Sequence, residues 1–152
     1  MKRLPKNILA LNKRARGKYD IREKFEAGIV LTGAEIKSVR AKKVNINDAY
    51  AKILGKELWL INSHIAQYQH DSSPDYDPRR SRKLLVKKAE LDHLFGKLQR
   101  GLTLIPLSIY LTRRGIAKIK LGLSKGRKIY DKRAQIKERD IKRQQQRDLK
   151  NY

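Results

Sequence analysis

The chain has 152 residues, 38 Lys+Arg against 15 Asp+Glu, a formal net charge of +23 and 39% hydrophobic residues, which suits one domain with a modest core and an appendage. The absence of cysteine excludes a disulfide framework, a thiolate metal site and a cysteine nucleophile. No apolar run approaches the roughly 20 residues of a membrane helix, and Met1-Lys2-Arg3-Leu4-Pro5-Lys6 lacks the apolar stretch of a signal peptide, so a cytoplasmic location away from membranes is expected.

Hydrophobic periodicity persists from about Tyr19 to Leu123 and nearly vanishes after Lys125. Tyr19, Ile21, Phe25, Ala27, Ile29 and Leu31 fall on alternate positions, the period of one buried strand face. Thr32-Gly33-Ala34-Glu35 is a capping-box pattern that opens a short helix. It turns Ile36 and Val39 inward and Lys37 and Arg40 outward, and is expected to end near Lys42-Lys43. A hairpin follows, with strands over 49–54 and 57–66 around Gly55-Lys56, where glycine supplies the positive φ of a tight turn. The second strand is apolar on both faces, Leu58 and Leu60 against Trp59 and Ile61, which predicts a central position. Residues 70–78 read as a polar loop. Residues 87–100 read as a helix with Leu91, Leu94, Phe95 and Leu98 on one face and Gly101 as its stop.

Residues 102–112 and 116–123 make a last hairpin across Arg113-Arg114-Gly115, with Ile105, Leu107, Ile109 and Leu111 on one face. Pro106 cannot donate to a ladder, so that strand is at an edge or bulged there. The sum is an all-β fold with short helices: a small antiparallel β-barrel like the oligonucleotide-binding barrel. It has about six strands, two or three flanking helices and a basic C-terminal tail. The division falls between residues 1–128, the barrel with its N-terminal segment, and 129–152, the tail.

No catalytic constellation emerges. His64, His70 and His93 lack ligands at i+3 or i+4, so zinc is not expected. His70-Asp71-Ser72 holds the letters of a hydrolase triad, but sequence neighbours cannot reach triad geometry. Asp71, Asp75 and Asp77 lack the spacing and terminal Glu of a calcium loop. The segment 122–128 is not a nucleotide P-loop, since no Ser or Thr follows a Gly-Lys pair. No cofactor is implied.

The charge carries more. Basic clusters stand at Lys13-Arg14-Ala15-Arg16, at Lys37, Arg40, Lys42 and Lys43, at 79–83, at Arg113-Arg114 and at 125–128. Any one could be a solvated face. Five with little acidic compensation point to a polyanion, nucleic acid first and an anionic membrane surface well behind. Tyr19, Tyr110 and Tyr130 interleave with them; Tyr110 is expected in the core, while Tyr130 is expected exposed, where it could stack on unpaired bases. Residues 125–152 carry 11 basic and 4 acidic residues with no continuous apolar stripe, so this stretch is expected to be coil when free. As a helix on RNA it would stack Arg139, Arg143 and Arg147 at i, i+4 and i+8.

Several strings together resemble one bacterial family, the small protein B or SsrA-binding proteins. They are Asn12-Lys13-Arg14-Ala15, the run from Phe25 through Gly33 into Glu35-Ile36-Lys37-Ser38-Val39-Arg40, Trp59-Leu60-Ile61-Asn62 with His64-Ile65, Asp77-Pro78 with Arg80 and Arg82-Lys83-Leu84-Leu85, and Gly126 leading to Tyr130-Asp131-Lys132-Arg133. The resemblance implies a barrel of the oligonucleotide-binding type, not an enzyme, that acts as a monomer. It would bind the tRNA-like domain of transfer-messenger RNA and enter stalled ribosomes in trans-translation. The tail would become helical in the empty mRNA channel beside the 16S decoding centre.

Carried over by motif, Asn12, Lys13, Arg14, Tyr19, Glu26, Lys37, Arg40, Lys42, Lys125, Gly126, Arg127 and Lys128 would face the RNA. Tyr130, Asp131, Lys132, Arg133, Arg139, Arg143 and Arg147 would serve the decoding centre and channel. A carboxylate such as Glu26 in a basic site can accept hydrogen bonds from a guanine's Watson–Crick edge while cations hold phosphates. The sequence departs from the family pattern at Lys42-Lys43 (Gly-Lys is frequent), Gln67 (Pro is usual), Tyr76 and Tyr130 (His in some members). A rival of another class is a structural ribosomal protein with a basic extension. An RNA-modifying or RNA-cleaving enzyme would need an acid–base set that the sequence lacks.

Overall fold

The computed structural model describes residues 7–126, 139, 141 and 143–146. In chain order the elements are β1 (Ile8–Leu11), α1 (Ala15–Lys18), β2 (Tyr19–Ile29), α2 (Gly33–Arg40), β3 (Val44–Asn45), β4 (Tyr50–Leu54), β5 (Glu57–Ile61), β6 (His64–Ile65), β7 (Arg82–Leu85), α3 (Lys88–Gln99), β8 (Thr103–Leu111) and β9 (Ala117–Gly126). All strand pairings are antiparallel. Seven strands form one sheet in the order β1-β8-β4-β5-β7-β2-β9, and β9 also pairs with β8, so the pairings return to β8. β3 and β6 form a separate two-stranded sheet. The core gathers Leu58, Leu60, Leu84, Leu104, Ile109, Ile119, Leu121 and Leu123 from the strands, with Val39 of α2 and Leu94 of α3 closing over them.

Much of this follows from the pattern. β2 alternates half-buried and exposed positions as expected. The capping box is formed, with the Thr32 hydroxyl accepting from Glu35 N–H and the Glu35 carboxylate accepting from Thr32 N–H. α3 and the β8–β9 hairpin stand within a residue or two of their predicted starts, and β5 is central.

Other expectations are corrected. The strand over 57–66 is two strands: Asn62 takes a left-handed φ of 64°, and the break inverts the alternation, so that Leu58 and Leu60 are buried before it and Ser63 and Ile65 after it. α2 ends at Arg40 because Lys42 is left-handed, at φ 61°. The predicted single face of β8 is split by a bulge between Pro106 and Ser108: Ile105 and Ile109 are buried as expected, Leu107 and Leu111 are only half-buried, and Leu104 is buried as well. Phe95 is exposed, since Leu91, Leu94 and Leu98 already cover the core. Tyr110 is half-buried, opposite Ile8 and Lys118. The short strands β1, β3 and β7 carry too few residues to register as periodicity.

The largest departure is Arg82. Read as part of a basic surface cluster, it is fully buried. Its Nε donates to Glu35 Oε2 at 2.7 Å, its Nη1 to Ser63 O and Oγ at 3.1 and 3.0 Å, and its Nη2 to Pro78 O at 3.1 Å. Arg80 reaches the same carboxylate from the surface. Tyr76, whose hydroxyl donates to Ile65 O at 2.8 Å, closes the cluster; burial pushes its phenol above the usual range. Burial also pushes the Glu35 carboxyl upward, but the Thr32 N–H and the Arg80 and Arg82 guanidiniums outweigh it and leave the group below the ordinary carboxylate range.

Because folding lowers this pKa, the unfolded chain takes up the proton first. The stabilisation is complete above the ordinary glutamate range and is lost as pH falls through the folded value. Glu35→Gln should therefore cost about 3–5 kcal/mol at neutral pH, the loss expected on breaking a buried pair. The gap to the parent chain should narrow towards pH 3; denaturant unfolding of both across that range checks it, and a constant gap would remove the ionised carboxylate from the account.

Candidate nucleic-acid interface

The residues indicated by sequence fall in three places. The first is the end of the β2–β9 ladder, where Tyr19 lies opposite Gly126 and Asp20 opposite Lys125. α1 precedes Tyr19 directly and presents exposed Arg16 and Lys18, with Lys13 and Arg14 just before it. Asn12 is not on this surface. It is buried, its N–H donates to Leu107 O at 2.8 Å, its Nδ2 donates to Pro106 O at 2.8 Å, and its Oδ1 accepts from Arg14 N–H. The bulge in β8 thus supplies the carbonyls that hold the basic turn. Lys13 N–H donates to Asn47 Oδ1 at 3.2 Å, and Arg14 pairs with Asp48 at 3.1 Å. Gly122 pairs with Ile105 beside the bulge; a Cβ there would sit 3.2 Å from side-chain carbons of Ile21 and Leu107, which would have to give by a few tenths of an ångström.

The second place is seven residues along β2, about 20 Å away at the rise of an extended strand. Here Glu26 faces Lys120 across the ladder, and its Oε1 lies 3.8 Å from Lys118 Nζ, both side chains about half exposed. Arg22, close by on β2, turns to Asp20 instead. An open pair of this length is worth little by itself. Glu26, Gly28, Leu85, Lys87, Glu90 and Lys118 line a cleft of about 470 Å3. Leu85 lies over Gly28, where a Cβ would meet Leu85 Cβ at 3.4 Å, with 54% of its surface exposed. In the sequence Leu85 stands out only as part of a family string; the strand alternation of 82–85 turns Leu84 inward and Leu85 out.

The third place surrounds α2. Arg40 donates to Gly115 O at 3.3 Å, tying the helix to the β8–β9 turn beside Arg113 and Arg114. Lys37 instead faces the 66–81 loop, its Nζ 5.2 Å from the Tyr68 ring centre, and Lys42 is exposed at the turn after α2. Lys37 and Tyr19 are therefore not parts of one contiguous site with Glu26. Arg139 and Arg143 are helical and exposed. Arg127, Lys128, Tyr130, Asp131, Lys132, Arg133 and Arg147 lie outside the described residues.

The acids of the 66–81 loop have local duties. Asp71 accepts from Ser73 Oγ and N–H at 2.8 and 3.1 Å, bonds that hold its carboxyl below the usual range. Asp77 accepts from Arg79 N–H. Among the described residues no group of three acids or histidines is placed to hold a metal ion. His93 pairs with Glu23 at 2.9 Å, and no helix among the described residues is long and apolar enough to cross a membrane.

Cations thus flank the β2–β9 ladder at both ends, with one carboxylate beside an exposed leucine, an arrangement suited to holding a polyanion. Known proteins agree in sequence and in shape. SsrA-binding protein of Ligilactobacillus salivarius (strain UCC118) is 47% identical over 147 residues, 96% of this chain and 94% of the relative. That of Streptococcus pyogenes serotype M5 (strain Manfredo) is 50% identical over the same shares. A chain from a solved structure, "tmRNA-SmpB: a journey to the center of the bacterial ribosome", is 50% identical with a TM-score of 0.67, covering 81% of this chain and 86% of that one. The family model described as SmpB protein matches residues 9–151, and the chain belongs to that family.

Proposed function

We propose that this protein binds transfer-messenger RNA through its tRNA-like domain and carries it to stalled ribosomes for trans-translation, as a cytoplasmic, monomeric binding factor without catalytic activity. The observation that carries this is the 50%-identical chain of the tmRNA-SmpB structure, which spans four fifths of this one. The surface suits the task. A charge of +23 draws RNA through counterion release without regard to sequence, and the carboxylate of Glu26 beside Leu85 and Lys118 adds a place where a base can be read. There Glu26 accepts from an unpaired guanine's edge, Leu85 packs on the ring, and Lys118 holds a phosphate.

The ring of pairings from β8 round to β9 supports the finer reading of the sheet as a barrel of the oligonucleotide-binding type. In the same reading the α1 turn, with Lys13, Arg14, Tyr19, Lys125 and Gly126, grips backbone, and Asn12 acts by holding that turn. Arg40 and Lys42 extend the basic surface past the β8–β9 turn. The tail from 129 onwards is the ribosomal part, with Tyr130 to Arg133 at the decoding centre and Arg139, Arg143 and Arg147 along the channel.

Competition at near-physiological salt tests the reading. Labelled tRNA-like domain should resist an excess of ordinary tRNA and of ribosomal RNA fragments; equal competition by every RNA would leave only generic charge and favour a structural ribosomal protein. Glu26→Ala, although it raises the net charge, should weaken binding by roughly 10- to 100-fold, the worth of hydrogen bonds to a charged acceptor, with unfolding stability unchanged. Tighter binding would make the carboxylate a mere repulsion. Truncation after Lys128 should leave RNA affinity largely intact and abolish peptide tagging on stalled ribosomes, and parallel loss of both would refute the division between body and tail.

A further inference from the structure

A second polar site adjoins the α1 turn. Asn45 and His64 are cross-strand partners in the β3–β6 ladder, so their side chains leave that sheet on the same side. With Asp48, Asn62 and Arg79 they line a pocket of about 250 Å3. Arg79 is aimed into place: its N–H donates to Asp77 Oδ1 at 2.9 Å, and its Nη1 donates to Asn62 Oδ1 at 2.7 Å. Asn62 donates in turn from Nδ2 to Asp48 O at 3.2 Å, from the left-handed backbone that breaks β5 from β6. The Asp48 carboxylate is occupied by Arg14 at 3.1 Å. What the pocket offers a visitor is the remaining N–H groups of Arg79, the amide N–H groups of Asn45, whose Oδ1 accepts from Asn47 N–H at 2.9 Å, the half-buried ring of His64 and the second oxygen of Asp48, donors with a few acceptors among them.

We propose that this pocket receives a single nucleotide of an RNA strand, its phosphate on Arg79 and its ribose hydroxyl or base edge on Asn45 and His64. Every lining residue is a polar type, unlike the mainly apolar walls of most small-molecule sites. The volume suits one nucleotide rather than a duplex groove. The pocket is continuous with the basic turn, because Lys13 and Arg14 bond to Asn47 and Asp48 on its rim. A ribose 2′-hydroxyl, both donor and acceptor, matches an amide-lined wall better than deoxyribose does. The inference rests on the reading that the α1 end of the molecule faces RNA.

The alternative role for Arg79 and Asn62, a staple for the 66–81 loop, predicts lost stability and no change in ionic behaviour. The full chain carrying Asn45→Ala with His64→Ala, or Arg79→Gln, would be titrated against two probes across salt concentrations: labelled tRNA-like domain of transfer-messenger RNA, and purified small ribosomal subunits. Arg79→Gln should weaken one arm about three- to tenfold and reduce the magnitude of its salt slope by about one. The Asn45/His64 double variant should weaken the same arm while keeping the parent melting temperature. The affected arm identifies which RNA supplies the nucleotide.

Unchanged affinity and slope in both arms, while Glu26→Ala still weakens the first, would overturn the pocket and leave the proposed function standing. A parent chain with no preference for the tRNA-like domain would overturn the function reading itself. Displacement of both probes by an acidic polypeptide at the parent RNA affinity, lost in Arg79→Gln, would assign the pocket to a protein partner and overturn the inference.

Discussion

The fold turns on one buried guanidinium. Arg82 spends its donors on Glu35, Ser63 and Pro78, and so joins α2, the β5–β6 break, the 66–81 loop and β7 at a point shielded from water. Replacing such a pair with apolar side chains of similar volume is often neutral or better for stability, so net energy is not its distinctive contribution. Its contribution is uniqueness. Side chains alternate along a strand, so a one-residue slip of β7 turns Arg82 outward, brings Lys83 and Leu85 in, and leaves Glu35 buried without its main partner. Among the described residues Glu35 is the one fully buried carboxylate, and no slipped register satisfies it.

The same knot sets the Glu26 cleft. The register it fixes lays Gly28 opposite Leu85 and Ile29 opposite Leu84, and with Leu84 inward Leu85 must lie outward over bare Gly28, beside Glu26. On the other flank of β2, the β9 register places Lys118 opposite Gly28 and Lys120 opposite Glu26. An exposed leucine, a carboxylate and two lysines thus come from three strands whose offsets are decided in the interior. A surface that reads a base needs that precision, because hydrogen-bond geometry fails within fractions of an ångström, while phosphate attraction does not.

How far the sequence discloses this depends on what each feature is made of. The capping box, the β4–β5 turn, α3 and the long β2 are written in local chemistry or in periodicity over many residues, and they are legible. Pro106 announces an irregularity in β8, although not which residues it sends inward. The break at Asn62 is silent, because asparagine tolerates left-handed backbone without requiring it. Arg82 is silent for another reason: an arginine among arginines looks the same buried or exposed, and only the distant Glu35 decides. Asn12 carries the opposite lesson, since its family motif places it with the RNA-facing residues and the structure spends it on the β8 bulge.

A protein this basic faces a problem of discrimination more than of attraction. Each lysine on a phosphate strengthens every RNA alike, so adding cations raises the floor of non-specific binding together with the ceiling. Selectivity must come from groups whose worth differs between RNAs: a carboxylate that repels backbone yet accepts from one base edge, or a small pocket that fits one extruded nucleotide. If the Glu26 cleft and the α1 turn both face RNA as proposed, their spacing of about 20 Å along one ladder favours an RNA whose own shape spans them. In the proposed reading the continuous β2–β9 pairing from Tyr19 to Gly28 is itself part of the recognition, because a flexible link between the two would let any unpaired strand satisfy each in turn.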